Sequence, residues 1–161
     1  MSKRNTGTMR VEGLREIDRA LKQLDQRVAK RILRRAVKIA AEPPLHAVRS
    51  NAPMDTGLYV SQINVRTRVR RWRNRKGAAV TAMVEAKSRS GKTDAFYGAF
   101  LEYGTSRMPA DPHFRPAFEM TKEESRRILL RELSNGLERE AKRVARAALR
   151  AERAAAKARA A

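Results

Sequence analysis

The 161-residue chain predicts an α+β fold: a long N-terminal helix packed on a small antiparallel sheet with a basic hairpin, plus a C-terminal helix. Three observations carry that prediction. Apolar residues recur at spacings of three and four from Leu14 through Ile17, Leu21, Leu24, Val28 and Ile32 to Ala40. β-Branched residues alternate with polar ones through Ile63, Val65, Thr67 and Val69. A second helical period runs from Phe118 through Ile128, Leu129, Leu133 and Leu137 to Leu149.

Taken in order, residues 1–12 are a flexible arm or short strand. From Gly13 the amphipathic pattern extends over about eight turns. "EPP" at Glu42 to Pro44 ends or kinks it, because proline lacks the N–H that the helix interior needs. Leu45 to Ala52 continues as a second helical piece, and Pro53 stops it. "MDTG" is a connector. Residues 58–72 read as a strand, with Asn64, Arg66, Arg68, Arg70 and Trp72 on one face. "RNRKG" at Arg73 to Gly77 is a basic hairpin tip, and Ala78 to Ala86 the returning strand. "AFYGAFLEYGT" fits either a short helix or a strand. "SRMPADPHFRP" has three prolines and is irregular. A helix follows from Pro116, with Asn135-Gly136 as a candidate break. The domain boundaries that follow are an arm over 1–12, a main domain over 13–135 and a basic Ala/Arg-rich helical tail over 136–161. The tail reads as a solvated helix, with nucleic-acid contact as the alternative.

Composition limits the function classes. The chain has no cysteine and only His46 and His113, so neither a disulfide framework nor a thiolate metal site is expected. No apolar run reaches the ~18 residues of a membrane span, and "MSKRNTGTMR" lacks the apolar core of a secretory signal. The net charge of +20 calls for an acidic partner. Residues 58–80 are the densest block, with seven basic side chains and no acid.

Asp-Thr-Gly at Asp55, Thr56 and Gly57 is the active-site triplet of aspartic proteases, some of them small homodimers. There it ends a hydrophobic strand, and two copies share a proton. Here it follows a proline-stopped helix, which makes it a turn in which Asp bonds local backbone and Gly supplies φ > 0. A phosphate-binding Gly-rich loop is absent. His113 beside Asp111 reads as a loop histidine, and no catalytic constellation emerges. The positive signal is "VRTRVRRWRNRKG": Arg66, Arg68, Arg70, Arg71, Arg73, Arg75 and Lys76 repel one another unless a polyanion or an acidic protein ring meets them. A solvated face is the plain alternative. Contact with nucleic acid would read its backbone, not its bases.

Three blocks occur in order: "AVRSNAPMDTGLYVSQI", a polar hairpin, and "FYGAFLEYGTSRMPADPHFRPAFE". Together they resemble the head–tail joining family of long-tailed double-stranded DNA phages, also described as tail completion or minor tail (neck) proteins. Ala52, Pro53, Asp55, Thr56, Gly57 and Leu58, with Ser61, match its first block. Tyr97, Phe100, Glu102, Tyr103, Gly104 and Thr105 match the second. Pro109, Pro112, Phe114, Arg115, Pro116 and Ala117 match the third, although His113 separates Pro112 from Phe114 where the family usually joins proline to phenylalanine. The resemblance spans about residues 10–125.

It implies a virion protein of the neck, assembled in the bacterial host cytoplasm. It would sit between the head-closure ring and the tail tube as a tail terminator or adjoining connector, a homo-oligomeric ring, commonly a hexamer, through which DNA passes during ejection. Its partners would be copies of itself, the head-closure or connector protein and the tail tube or terminator protein, with non-specific contact to genome DNA. No enzyme activity, cofactor, membrane or small-molecule substrate is implied. Asp55, Thr56 and Gly57 would form a structural turn. Glu102, Tyr103, Gly104, Thr105, Pro109, Pro112, Phe114 and Pro116 would form a joining loop, with Glu102 near Arg107 or Arg115. A sequence-independent nucleic-acid-binding module is the alternative.

Overall fold

The structure is a computed structural model that describes residues 14–53, 57–71, 78–86 and 97–159. It is an α+β arrangement: α1 (Leu14–Gln23), α2 (Gln26–Ala40), α3 (Glu42–Asn51), α4 (Leu58–Gln62), β1 (Ile63–Arg71), β2 (Ala78–Ala86), α5 (Tyr97–Tyr103) and α6 (Phe114–Arg159). The expected long helix before Glu42 is corrected to two helices, and the expected second piece is α3, so the N-terminal run is three helices in series. Asp25 makes the first break: its carboxylate accepts the Arg27 N–H at 2.7 Å and starts a new helix after Leu24. Ala41 makes the second. It closes α2 and opens α3, whose first turn holds Pro43 and Pro44, where a missing N–H is tolerated.

The expected strand from residue 58 is corrected at its start. Leu58–Gln62 is a helical turn, and pairing begins at Ile63. Gly57 enters the turn at φ +72°, its carbonyl accepts the Ser61 N–H at 3.1 Å, and Ser61 Oγ donates to the Leu58 carbonyl at 2.7 Å. The sequence carries a trace of this, since the apolar spacing changes from two (Leu58, Val60) to three (Ile63).

β1 and β2 pair antiparallel in the register Ile63↔Ala86 to Arg71↔Ala78. One face carries Val65, Thr67 and Val69 opposite Val84, Ala82 and Val80, all half-buried, and α2 packs on the sheet. The other face carries Asn64, Arg66 and Arg68 toward solvent. Two strands alone are marginal in water, so the helical cover supplies what a third strand otherwise would.

α6 crosses α2 and α3 and organises two apolar clusters. Near its start, Ala117 meets Val48, Ala52 and Ile63, with Tyr59, Val60 and Phe114 packed around them. Further along, Leu133 meets Ile32 and Ala36, flanked by Ile17, Leu21, Val28 and Leu137. The helix passes Asn135-Gly136 without a break. Gly136 permits a close crossing, because a Cβ there would lie 2.6 Å from Ile32 Cγ2. From Ala141 to Arg159 every residue is exposed, since alanine and arginine sustain the helix but leave no apolar stripe to bury.

Candidate assembly site: a carboxylate-clamped joint

The segment from α5 to the first turn of α6 is folded around one carboxylate. α5 delivers Glu102 beneath the N-terminus of α6, whose first N–H groups have no partners within the helix. Glu102 Oε2 accepts the backbone N–H groups of His113 and Phe114, each at 3.0 Å, and Oε1 accepts that of Arg115 at 3.2 Å. Arg115 Nε lies 3.6 Å from Oε1. Burial pushes the Glu102 carboxyl up. The three backbone donors and the nearby His113 ring push it down further, so it ends below its ordinary value. A negative charge at this position also complements the positive end of a long helix.

The loop between Glu102 and α6 is tightly specified. Gly104 turns the chain at φ +70°, and a Cβ there would lie 2.9 Å from the Ala110 nitrogen and 3.0 Å from the Met108 carbonyl. Thr105 N donates to the Met108 carbonyl at 2.8 Å, while Thr105 Oγ1 accepts from the N–H groups of Arg107 and Met108. Asp111 N donates to the Leu101 carbonyl at 2.8 Å and draws the loop back onto α5.

His113 is buried and pairs through Nε2 with the Tyr59 hydroxyl at 2.8 Å. Their rings meet edge to face, and Phe114 flanks the imidazole. Burial, helped by the Glu102 charge, pushes the Tyr59 phenol up to about 12. Tyr59, His113 and Glu102 look like a relay of titratable groups, but both Glu102 oxygens are taken by backbone and the phenol is held protonated. The geometry is that of a lock joining α4, α5 and α6. Gly98 completes it, because a Cβ there would lie 2.5 Å from the Tyr59 hydroxyl. Arg49 makes a second tie, donating through Nε and Nη2 to the Ile63 carbonyl at 3.0 and 2.7 Å.

The structure brings the joining-loop residues together on one segment. Glu102 and Phe114 point into the joint, whereas Tyr103, Thr105, Pro109, Pro112 and Pro116 are exposed. Tyr103 is 70% exposed and lies under the Arg115 guanidinium, 5.1 Å from ring centre. Tyr103 and Phe118 line one open cavity beside the joint, and both are exposed, as are Met108 and Met120. Arg66 and Arg68 project from β1, Arg66 pairing with Glu85 at 3.3 Å, and Arg70 and Arg71 lie in the same strand. Gly57 starts α4, as described above. Asp55, Thr56, Arg73, Arg75 and Lys76 lie outside the described residues. Sequence reasoning missed Tyr59 and the partnership of His113. Its only local trace is the histidine set between Pro112 and Phe114.

Fold and joint together describe an α+β domain whose α5–α6 segment is tied down by one buried carboxylate. Among the described residues no cluster of His, Asp and Glu is arranged to hold a metal ion, and no helix is long and apolar enough to cross a membrane. The chain belongs to the family described as "Bacteriophage HK97-gp10, putative tail-component", whose model it matches over residues 15–104. It is therefore a phage tail component, whose setting is the virion and whose neighbours are other phage structural proteins. The matched span runs from α1 through Gly104 and includes Glu102 and Tyr103. No curated protein and no solved structure matches the chain.

Proposed function

We propose that this tail component is a neck protein that completes the tail and joins it to the head-closure ring. It acts as a homo-oligomeric ring, six-fold like the tail it caps, around the channel through which DNA leaves the head. Its work is mechanical and positional. The observation that carries this reading is the clamped joint: a buried carboxylate ties down the segment that presents exposed Tyr103 and Phe118, as a subunit contact needs if little entropy is to be lost on docking. Tyr103 and Phe118, which line one open cavity, face the neighbouring subunit or the adjoining ring. The turn at Gly57 sets the corner between the helical layer and the sheet.

Light scattering and electron microscopy of the purified chain, alone and with tails lacking it, test the proposal. Rings on tail ends are expected, together with free heads and unjoined tails when the protein is missing. Tyr103→Asp with Phe118→Asp should leave a folded chain that no longer joins. Normal head-tail joining without the protein would overturn the proposal.

A further inference from the structure

α2 carries six basic side chains and no acidic one. Arg27, Lys30, Arg31, Arg34, Arg35 and Lys38 follow spacings of three, one, three, one and three, which puts them on one helical face. In the structure all six line a single open groove of about 560 Å³, where α2 passes Thr67 of β1. Eleven steps at about 1.5 Å rise make the row roughly 16 Å long. Among the described residues Arg31 alone of the six has an acidic partner, Glu140 at 3.5 Å. Four like-charged pairs, 27/31, 30/34, 31/35 and 34/38, stand at i,i+4, where they destabilise the helix on its own. Among the described residues Thr67 is the one uncharged side chain lining the groove.

We infer that this α2 groove is a binding site for the phosphate backbone of duplex DNA. Three features select that ligand. Protein interfaces bury an apolar centre and are depleted in lysine, whereas this groove offers cations and one threonine. Four of the six cations are arginines, whose planar fork matches phosphate oxygens in pairs. Grooves for single strands stack bases on aromatic rings, and among the described residues none lines this one. Phosphates relieve the repulsion along the helix by replacing small counterions. The site is separate from the arginines that face solvent on β1, and it gives the neck ring a surface that grips DNA whatever its sequence. The inference rests on the reading that DNA passes this protein, but its test is made on the isolated chain and does not depend on ring formation.

The experiment measures fluorescence anisotropy of a labelled duplex across a salt series with the full chain and two variants. One variant changes Arg27, Lys30, Arg34, Arg35 and Lys38 to Gln and spares Arg31, which holds Glu140. The other changes Arg146, Arg150, Arg153, Lys157 and Arg159 to Gln, an equal loss of charge from the exposed end of α6. The α2 variant should lose about 4 units of salt slope, at about 0.9 per phosphate contact, and bind at least ~100-fold more weakly at low salt; the α6 variant should stay near the wild-type slope. Equal losses in both variants would reduce the effect to net charge and overturn the inference. So would tighter binding of poly-glutamate, which marks an acidic protein partner, or of a single strand. As a measurement free of folding effects, duplex should protect Lys30 and Lys38 of the wild-type chain from acetylation while Lys157 stays reactive. Unprotected Lys30 and Lys38 would overturn it equally. Light scattering of the same samples reports the ring separately.

Discussion

Glu102 offers the sharpest test of how the joint is held. Glu102→Gln keeps the shape and removes the charge. The amide oxygen can take the place of Oε2 and still accept from His113 and Phe114, but the amide nitrogen then meets the Arg115 N–H, donor to donor. Two bonds pass from a charged to a neutral acceptor, at about 1 kcal/mol each, and one partly buried donor loses its partner, at about 1–3 kcal/mol. The expected cost is about 3–5 kcal/mol, a fall of roughly 6–20 °C in Tm for a chain of this length. Urea denaturation followed by circular dichroism reads it directly. The pH dependence has a definite sign. The folded-state pKa of Glu102 is depressed. Its stabilisation is therefore complete above the unfolded value of about 4.3 and is lost as pH falls through the lower folded value. The gap between wild type and variant should be widest at neutral pH and shrink in acid. A variant within about 0.5 kcal/mol of wild type at neutral pH would refute the clamp.

Other positions give independent checks by the same denaturation assay. Gly57→Ala should cost about 1–2 kcal/mol from backbone strain, since nothing among the described residues lies within 4 Å of its Cβ position. Gly104→Ala should cost more, because its Cβ also meets backbone at 2.9 Å; equal losses would show that the close approach relaxes freely. Gly98→Ala should push Tyr59 off His113 and cost about 1–3 kcal/mol. An alkaline ultraviolet titration should show a phenol ionising as late as about 12 that disappears in Tyr59→Phe. Because that pKa is raised, the stability it contributes is present below about pH 10 and lost as pH climbs toward the folded value. Ionisation of all three tyrosines together near the ordinary value would contradict the buried pairing.

What the sequence determined by itself is what local periodicity and local chemistry encode. The alternation from Ile63 to Val69 and its return over Ala78–Ala86 predict a hairpin that the structure pairs residue for residue. The three-and-four spacing predicts the helices, and the two prolines after Glu42 mark a real boundary because they lack a donor. Membership in a phage tail family was legible too, through motifs fixed in order along the chain. The break at Asp25 was harder to see, since the apolar rhythm runs across it and only the side-chain cap reveals it.

Tertiary structure alone decided the rest, because it depends on residues far apart in the chain. Glu102 becomes a clamp only when α6 begins twelve residues later and its start presents three unpaired N–H groups to it. Tyr59 meets His113 across 54 residues. The six cations of α2 are visible in the sequence as a charged helical face, but they line a groove only because α2 lies beside Thr67 of β1. The physical reason is the same each time. Periodicity reports which side of an element avoids water, whereas the partner of a buried charge is set by packing, which no single stretch of sequence contains.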